Sequence, residues 1–460
     1  MAVRDVVIAS NRGPVSFELG EDGVPVARRG GGGLASGLRS LTESPGTVWI
    51  SAAMTAADRV AVDHPSAAEA GVRLLDIDPA DYRSYYDTIS NETLWFLHHH
   101  LFDLTREPAI GEHWRTAWTA YERVNAMFAD AIAEVASPGS VVLVQDYHLS
   151  LVGRRLRSLR PDLVTVHFHH TPFAEPTFLR ALPRAFAAEL VGALAAYSAC
   201  GFHTRRWRDD FVACCDSLAF DPPHTFVAPL GVDVAALAET ATSDAVVTDI
   251  AELEAIIGDR AFIVRVDRME LSKNLVRGFL AYDELLERHP EWRERVVFGA
   301  FCYPSRENVE AYRRYHAEVV AAVEAVNDRW GTPGWTPILL ETGDDYERSV
   351  AALCRYDVLV VNPIRDGLNL VAKEGPAINR RHGTLVLSTE AGSAAEMSHA
   401  TLPVNPFDVS ELADRLHIAL GATAAERSEM AAVLAHVAVE RTAERWLDDQ
   451  LAAAEIASTS

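Results

Sequence analysis

The strongest constraint on the fold is a recurrence of short β-branched runs separated by longer helical patterns. The first series is VVIAS at 6 to 10, VVLVQD at 141 to 146, VTVHFHH at 164 to 170 and TFVAPLGVD at 225 to 233. The second is FIVRV at 262 to 266, VVFGAF at 296 to 301, PILLET at 337 to 342, VLVVNP at 358 to 363 and TLVLS at 384 to 388. Short runs of this kind, apolar on both faces, are the signature of parallel strands. At 460 residues the chain exceeds one ordinary core and suits two domains of roughly 200 residues each. Two doubly wound α/β domains follow as the expected architecture.

The acidic, helix-patterned stretch from Ala235 to Gly258 separates the two series, which puts the boundary just after Asp233. The expected division is 1–233, 234–435 and a terminal amphipathic helix over 436–460 that crosses back to the first domain. The longest uncharged run, Leu190 to Thr204, falls short of the ~20 apolar residues that span a bilayer. It reads as a core helix leading into a strand.

The charge balance removes whole classes of partner. With 42 basic and 65 acidic side chains the formal charge is -23, so nucleic acid and anionic membrane surfaces are repelled. A phosphate site must then be a local basic pocket. Five cysteines without a CxxC spacing read as reduced and buried. The N-terminus runs straight into a strand pattern without a signal-peptide profile, so a cytoplasmic protein is expected. A homo-oligomer is compatible with the sequence, which does not specify assembly.

Several polar motifs stand at expected strand ends, where open α/β sheets bind ligands. After the first strand comes SNRGPVSF, then RRGGGGLASGL from Arg28 to Leu38, four glycines opening into a helix. Bare glycines admit a phosphate to backbone N–H groups at a helix N-terminus, and a surface loop is the other reading. The run is neither GxGxxG nor GxxxxGK[ST], so dinucleotide and Walker chemistry are unsupported. VQDYHLS ends one strand with Asp146 and His148, and VHFHHTPFAEP ends the next with His167, His169 and His170. No HExxH or Cys/His metal spacing accompanies these histidines. The DxD-like triplet Asp76 to Asp78 precedes Pro79 and reads as a turn.

In the second half, RVDRMELSKN sets Arg268 and Lys273 in a loop after a strand, and FCYPSRENVEAY sets Arg306 after the next. Three cations at strand ends of an acidic protein point to oxyanion binding. The segment VVNPIRDGLNLVAKEG, Val360 to Gly375, reads as strand, turn with Asp366 and Gly367, then a helix carrying Lys373 and Glu374. Its carboxylate could hold sugar hydroxyls and its amides a pyrophosphate, or Asp366 could simply cap the helix.

Together these segments resemble the trehalose-6-phosphate synthases, retaining glycosyltransferases of GT-B fold, from Val6 to about Asp408 and with every motif in family order. The resemblance implies two Rossmann-like domains facing across a cleft. It also implies a nucleotide-glucose donor (UDP-glucose or GDP-glucose), glucose 6-phosphate as acceptor, and no cofactor or metal. By this match Arg12, Tyr86, Trp95 and Arg306 surround the acceptor and its 6-phosphate. Asp146 and His170 lie beside the two sugars, and Arg268 and Lys273 form the cationic pair on the donor diphosphate. Gly33 belongs to the loop meeting the donor phosphates, Asp366, Gly367, Asn369, Leu370 and Val371 to the donor-glucose loop and adjoining helix, and Glu374 to the ribose. Two departures bear on substrate preference: Asn274 stands where the family commonly has glycine, and a family tryptophan is replaced near Ala52.

In the implied reaction the acceptor hydroxyl attacks the face from which the diphosphate leaves, with the leaving group as base. The protein then contributes positioning and charge stabilisation. Two other readings share the fold: coupling of a nucleotide-activated cyclitol to a sugar or aminocyclitol phosphate, and a non-catalytic sugar-phosphate sensor.

Overall fold

The structure is a computed structural model that describes residues 5–29, 37, 38, 41 and 46–459. Gly33 lies outside the described residues. The chain divides into two compact units, Met1–Leu230 with Ala443–Ser460, and Gly231–Thr442.

In the first unit the strands are β1 (Val6–Ala9), β2 (Val15–Leu19), β3 (Pro25–Arg29), β4 (Val48–Ala52), β5 (Val72–Leu75), β6 (Val141–Gln145), β7 (Val164–His169), β8 (Ala199–Phe202) and β9 (His224–Val227). Seven of them form a parallel sheet in the order β5-β4-β1-β6-β7-β8-β9, and β2 and β3 make a separate antiparallel hairpin. The second unit holds β10 (Ala261–Met269), β11 (Val296–Pro304), β12 (Ile338–Glu341), β13 (Val358–Val361), β14 (Thr384–Ser388) and β15 (Leu402–Val404). These form one parallel sheet, β12-β11-β10-β13-β14-β15. In both sheets the chain builds outward on one side of the first strand, then returns to its other side. The strand order therefore reverses between β1 and β6, and again between β10 and β13, which are the points where doubly wound sheets open a crevice at their carboxyl ends.

β1, β6, β13 and β14 are buried at every residue, as their unbroken apolar runs require. β4 and β5 join the first sheet although no separate β-branched run had marked them. The uncharged run at 190 to 204 comprises the end of helix Arg184–Leu194 and strand β8. Among the described residues no helix is long and apolar enough to cross a membrane. The acidic stretch after Asp233 is two helices, Val234–Ala241 and Asp244–Ile257, divided where Ser243 accepts the Val246 amide as an N-cap. Asp78 likewise caps helix Pro79–Arg83, taking the amides of Ala80 and Asp81. All five cysteines are free and buried.

The terminal helix Ala443–Thr459 counts with the first unit, where Trp446 is buried against Phe168 and His170 and Gln450 accepts a hydrogen bond from Gln145 at 3.0 Å. Ser84–Leu94 is π-helical over eleven residues. Its wider turn is supported by side chains that bond five residues back, Ser90 Oγ to the Tyr85 carbonyl at 2.9 Å and Thr93 Oγ1 to that of Thr88 at 2.8 Å. Such segments are rare and tend to sit at functional sites.

β7 carries an unusual internal load. His167 and His169 are buried in it, and among the described residues neither ring nitrogen of His167 has a hydrogen-bond partner. Burial holds the His167 imidazole well below its ordinary value and lowers His169 to about 3. Both are neutral in the folded protein while their unfolded counterparts take up a proton near pH 6.5, so acid favours unfolding from about pH 6.5 downward. His167→Phe removes one such site. In urea titrations at pH 7, 6 and 5 it should flatten the loss of stability with falling pH, by about 0.7 kcal/mol between pH 7 and 6 and by about 1.2 kcal/mol between pH 6 and 5; an unchanged slope would show that His167 is already protonated in the folded protein.

Candidate active site

At the switch point of the second sheet, β10 ends in Arg268 and Met269, and the short turn Leu271–Lys273 follows. Arg268 therefore lies on the strand itself, one residue before its end, where a loop position had been expected. Arg306 follows the end of β11 with a φ of 52°, in the left-handed region. Arg268 and Arg306 meet on one carboxylate, since Glu270 Oε1 lies 2.9 Å from Arg268 Nη1 and 3.2 Å from Arg306 Nη1. Tyr312 takes a further hydrogen bond from Arg306 at 2.7 Å.

The loop after β13 brings the other half. Lys273 Nζ stands 2.6 Å from Asp366 Oδ2, which also accepts Asn369 Nδ2 at 3.2 Å. Burial pulls the Lys273 ammonium down, but Asp366, Asp267 and Glu270 outweigh that and hold it above its ordinary value. It is a cation at any physiological pH. The amide of Ala372, in helix Val371–Ile378, bonds Asn369 Oδ1 at 3.3 Å, with Asn369 at φ 74°. The Asp366 carboxylate faces the cation, and the first amides of that helix lack intrahelical acceptors by geometry.

The loop is fastened from behind. Gly392 and Ser393 donate their amides to the carbonyls of Asp366 and Leu368 at 3.0 and 2.8 Å. A Cβ on Gly392 would fall 2.0 Å from the Gly367 carbonyl, so the close approach demands glycine there. Buried Lys373 pairs with Glu396 at 2.6 Å, tying helix Val371–Ile378 to the same segment. Beside it Glu374 is pushed up to about 7 by burial. Leu370 and Val371 are half-buried at the start of that helix.

In the first unit Asp146 closes β6 with φ 72° and ψ 166°, a region otherwise left to glycine. Its Oδ1 accepts the His170 amide at 3.3 Å, and its own amide donates to the Phe168 carbonyl at 2.8 Å. His170 Nε2 lies 3.0 Å from Gln145 Oε1, and burial lowers the ring to about 3, so it is neutral. Tyr86, on the π-helix, stacks on Tyr82 and on His148, at 5.4 and 5.7 Å between ring centroids. Tyr147 stacks on His148 at 4.1 Å and lies tilted against Trp95, which stacks on His99 at 3.9 Å. A continuous aromatic wall thus runs beside Asp146. Trp95 is buried within it while Tyr86 is half-buried, and Arg12 is exposed after β1.

Sequence reasoning had not singled out Glu270, Tyr312, Tyr82, Gln145 or Glu396. For Glu270 a signal existed, a carboxylate two residues from Arg268 in an anion-binding segment; Tyr312 and Glu396 meet their partners only through the fold. Among the described residues one group brings three ligand-type side chains together, His289, Glu291 and His417. The two imidazoles stack face to face at 3.6 Å and 10°, so their in-plane lone pairs do not converge on one ion.

Residues 4–456 match the family model for glycosyltransferase family 20. The trehalose-6-phosphate synthase of Mycolicibacterium smegmatis is 32% identical over 98% of this chain and 93% of its own length. The UDP-forming alpha,alpha-trehalose-phosphate synthase of Schizosaccharomyces pombe is 30% identical over 91% and 84%. Among solved structures, an E. coli protein described as bound with UDP-2-fluoro glucose superposes with a TM-score of 0.84 at 27% identity, covering 98% of each chain. The Burkholderia xenovorans alpha,alpha-trehalose-phosphate synthase (UDP-forming) in complex with glucose-6-phosphate does so with 0.82 at 29%, covering 98% of this chain and 99% of that one.

Asn274, the departure beside Lys273, has φ 61° and ψ 39°. Asparagine is the side-chain-bearing residue best suited to that conformation, which accounts for its replacing glycine. Its Nδ2 also donates to the carbonyls of Asn362 and Pro406 at 3.0 and 2.7 Å. The stability order should be Asn274 above Asn274→Gly above Asn274→Ala, with alanine about 1 kcal/mol below glycine from the left-handed strain alone. Urea unfolding of the three proteins measures it, and alanine equal to glycine would remove this account.

Proposed function

The chain belongs to glycosyltransferase family 20 and has its GT-B fold, and from that premise we propose that it transfers glucose from UDP-glucose to glucose 6-phosphate. The product is α,α-trehalose 6-phosphate, formed with retention. The observation that carries this reading is the gathering of Arg268, Lys273 and Arg306 at the carboxyl ends of β10 and β11, with Lys273 joined to the Asp366 loop that follows β13. Uridine as the donor base is supported by the UDP-forming relatives. Both substrates are metabolites of the cytoplasm, which is where we place the enzyme.

Each expected residue then has a task. Arg268 and Lys273 meet the donor diphosphate, joined by the amides of Leu370 and Val371. Asp366, Gly367 and Asn369 hold the donor glucose, and Glu374 accepts the ribose hydroxyls. Arg12 and Arg306 clamp the acceptor phosphate, with Tyr86 and Trp95 as the wall for its sugar. Asp146 and His170 orient sugar hydroxyls. His170, being neutral, donates or accepts a hydrogen bond there without delivering a full charge.

The acceptor hydroxyl attacks the anomeric carbon on the face that the diphosphate leaves, and its proton passes to a departing phosphate oxygen. Negative charge grows on that oxygen as the glycosidic bond breaks, so a fixed ammonium at Lys273 favours the transition state over the bound donor.

Purified enzyme with UDP-, GDP- or ADP-glucose and glucose 6-phosphate should release nucleotide fastest from UDP-glucose, with α,α-linked product by NMR and full activity in EDTA. An inverted linkage, or metal-dependent turnover, would overturn the mechanism. Lys273→Ala should lower kcat by about 10²–10³. Arg306→Ala should chiefly raise KM for glucose 6-phosphate, since charge-assisted hydrogen bonds contribute roughly 1.5–3 kcal/mol each; a rise confined to the donor KM would assign this arginine to the other substrate.

A further inference from the structure

Glu270 is fully buried, yet its one oxygen Oε1 serves both Arg268 and Arg306 and lies 3.3 Å from Ser305 Oγ, which can donate to it. Its backbone is pinned too: its amide donates to the Arg268 carbonyl at 2.8 Å and its carbonyl accepts the Lys273 amide at 3.0 Å. We propose that Glu270 is a positioning residue shared by the two anion subsites, an internal counter-ion that fixes Arg268 for the donor diphosphate and Arg306 for the acceptor phosphate at the same time. The inference rests on the glucosyl-transfer reading for the identity of the two anions.

Two guanidinium groups within reach of one oxygen repel each other, and Glu270 offsets that repulsion before any substrate arrives. Arg306 is the more enclosed, its side chain 7% exposed and anchored also on Tyr312, whereas Arg268 is 41% exposed and can turn its remaining donors outward. A fixed negative charge beside two phosphate subsites has opposite effects on binding and on chemistry. It weakens attraction for each anion, and it holds the cations where a developing charge needs them, since small misplacements at a reacting centre are costly. Charge and reach are separable by mutation. Glutamine removes the charge, and aspartate keeps the charge but draws the oxygen back by one methylene, out of reach of both arginines together.

Glu270→Gln should therefore lower KM for donor and acceptor alike, and calorimetry should show UDP and inorganic phosphate binding several-fold tighter, while kcat falls by about 10- to 100-fold. Glu270→Asp should return both KM values toward those of the parent without restoring kcat. A role in stability alone would lower the melting temperature and the active fraction and leave both KM values and both binding constants unmoved. The proposal is overturned if Glu270→Gln leaves anion affinity unchanged or weaker, if only one substrate responds, or if Glu270→Asp recovers full kcat. Should the glutamine variant not fold, Glu270→Asp decides by itself, with kcat lowered at parental KM as the expected result and parental kcat as the refuting one. Should the parent enzyme transfer no glucose from any nucleotide-glucose, the functional reading fails, and the UDP and phosphate binding comparison still tests the counter-ion role.

Discussion

The contact between Lys273 and Asp366 is the one on which the second unit's site depends. It joins the loop after β10 to the loop after β13, the two strands between which the sheet order reverses. Supporting bonds run in parallel with it: Ile364 donates its amide to the Ser272 carbonyl at 2.8 Å, and Asn274 reaches the Asn362 carbonyl. A partly buried pair of this kind adds modest net stability, because desolvation offsets most of the attraction. Its larger effect is geometric. With Asp366 joined to a cation, Asn369 accepts the Ala372 amide of the following helix, and the Asp366–Leu370 turn takes the shape that Gly392 and Ser393 then fasten.

The first unit reaches order by a different route, through backbone conformations that cost free energy. Asp146 occupies a glycine-type region at a cost of about 1–3 kcal/mol, and eleven residues wind as a π-helix. Neither is compelled by the sheet, which would tolerate a relaxed turn after β6. What they achieve is placement: Asp146 is turned so that its carboxylate meets the His170 amide, and the π-helix aligns Tyr86 with His148. The sugar-orienting role proposed for these residues needs both features, since hydroxyls need fixed acceptors and sugar faces need flat apolar surface.

The parallel sheets were legible because burial on both faces leaves an unmistakable apolar run, and the motif residues were legible because they stand at the ends of those runs. β4 and β5 were not: VWISA mixes a tryptophan and a serine, and VRLL carries an arginine, so neither repeats the β-branched run of its neighbours. The splitting of the stretch after Asp233 turned on Ser243, a cap whose effect outweighed a continuous helical pattern. At the site, residue types and strand-end positions could be read, but pairing could not. Arg268, Lys273 and Arg306 looked like free cations, whereas each meets a carboxylate, and Asp366 could equally have been a cap. Contacts such as Lys273 with Asp366, 93 positions apart, exist only once two loops share a sheet edge.

That pairing changes how an acidic protein can hold phosphates. Arg265, Arg268, Lys273 and Arg306 against Asp267, Glu270 and Asp366 leave a cluster with a surplus of one positive charge. A simple basic pocket would be held apart by its own repulsion and would take any anion by charge alone. Here each carboxylate also claims particular donors, so in the proposed reaction an incoming phosphate uses the guanidinium edges left over together with helix-terminal amides. Selection then falls on geometry more than on charge. The low net positive charge also means that the phosphates themselves make the site anionic, so the burden of stabilising further charge in the transition state falls on the nearest fixed cation. In the proposed reaction Lys273 is that group, kept protonated by Asp366, Asp267 and Glu270 despite its burial.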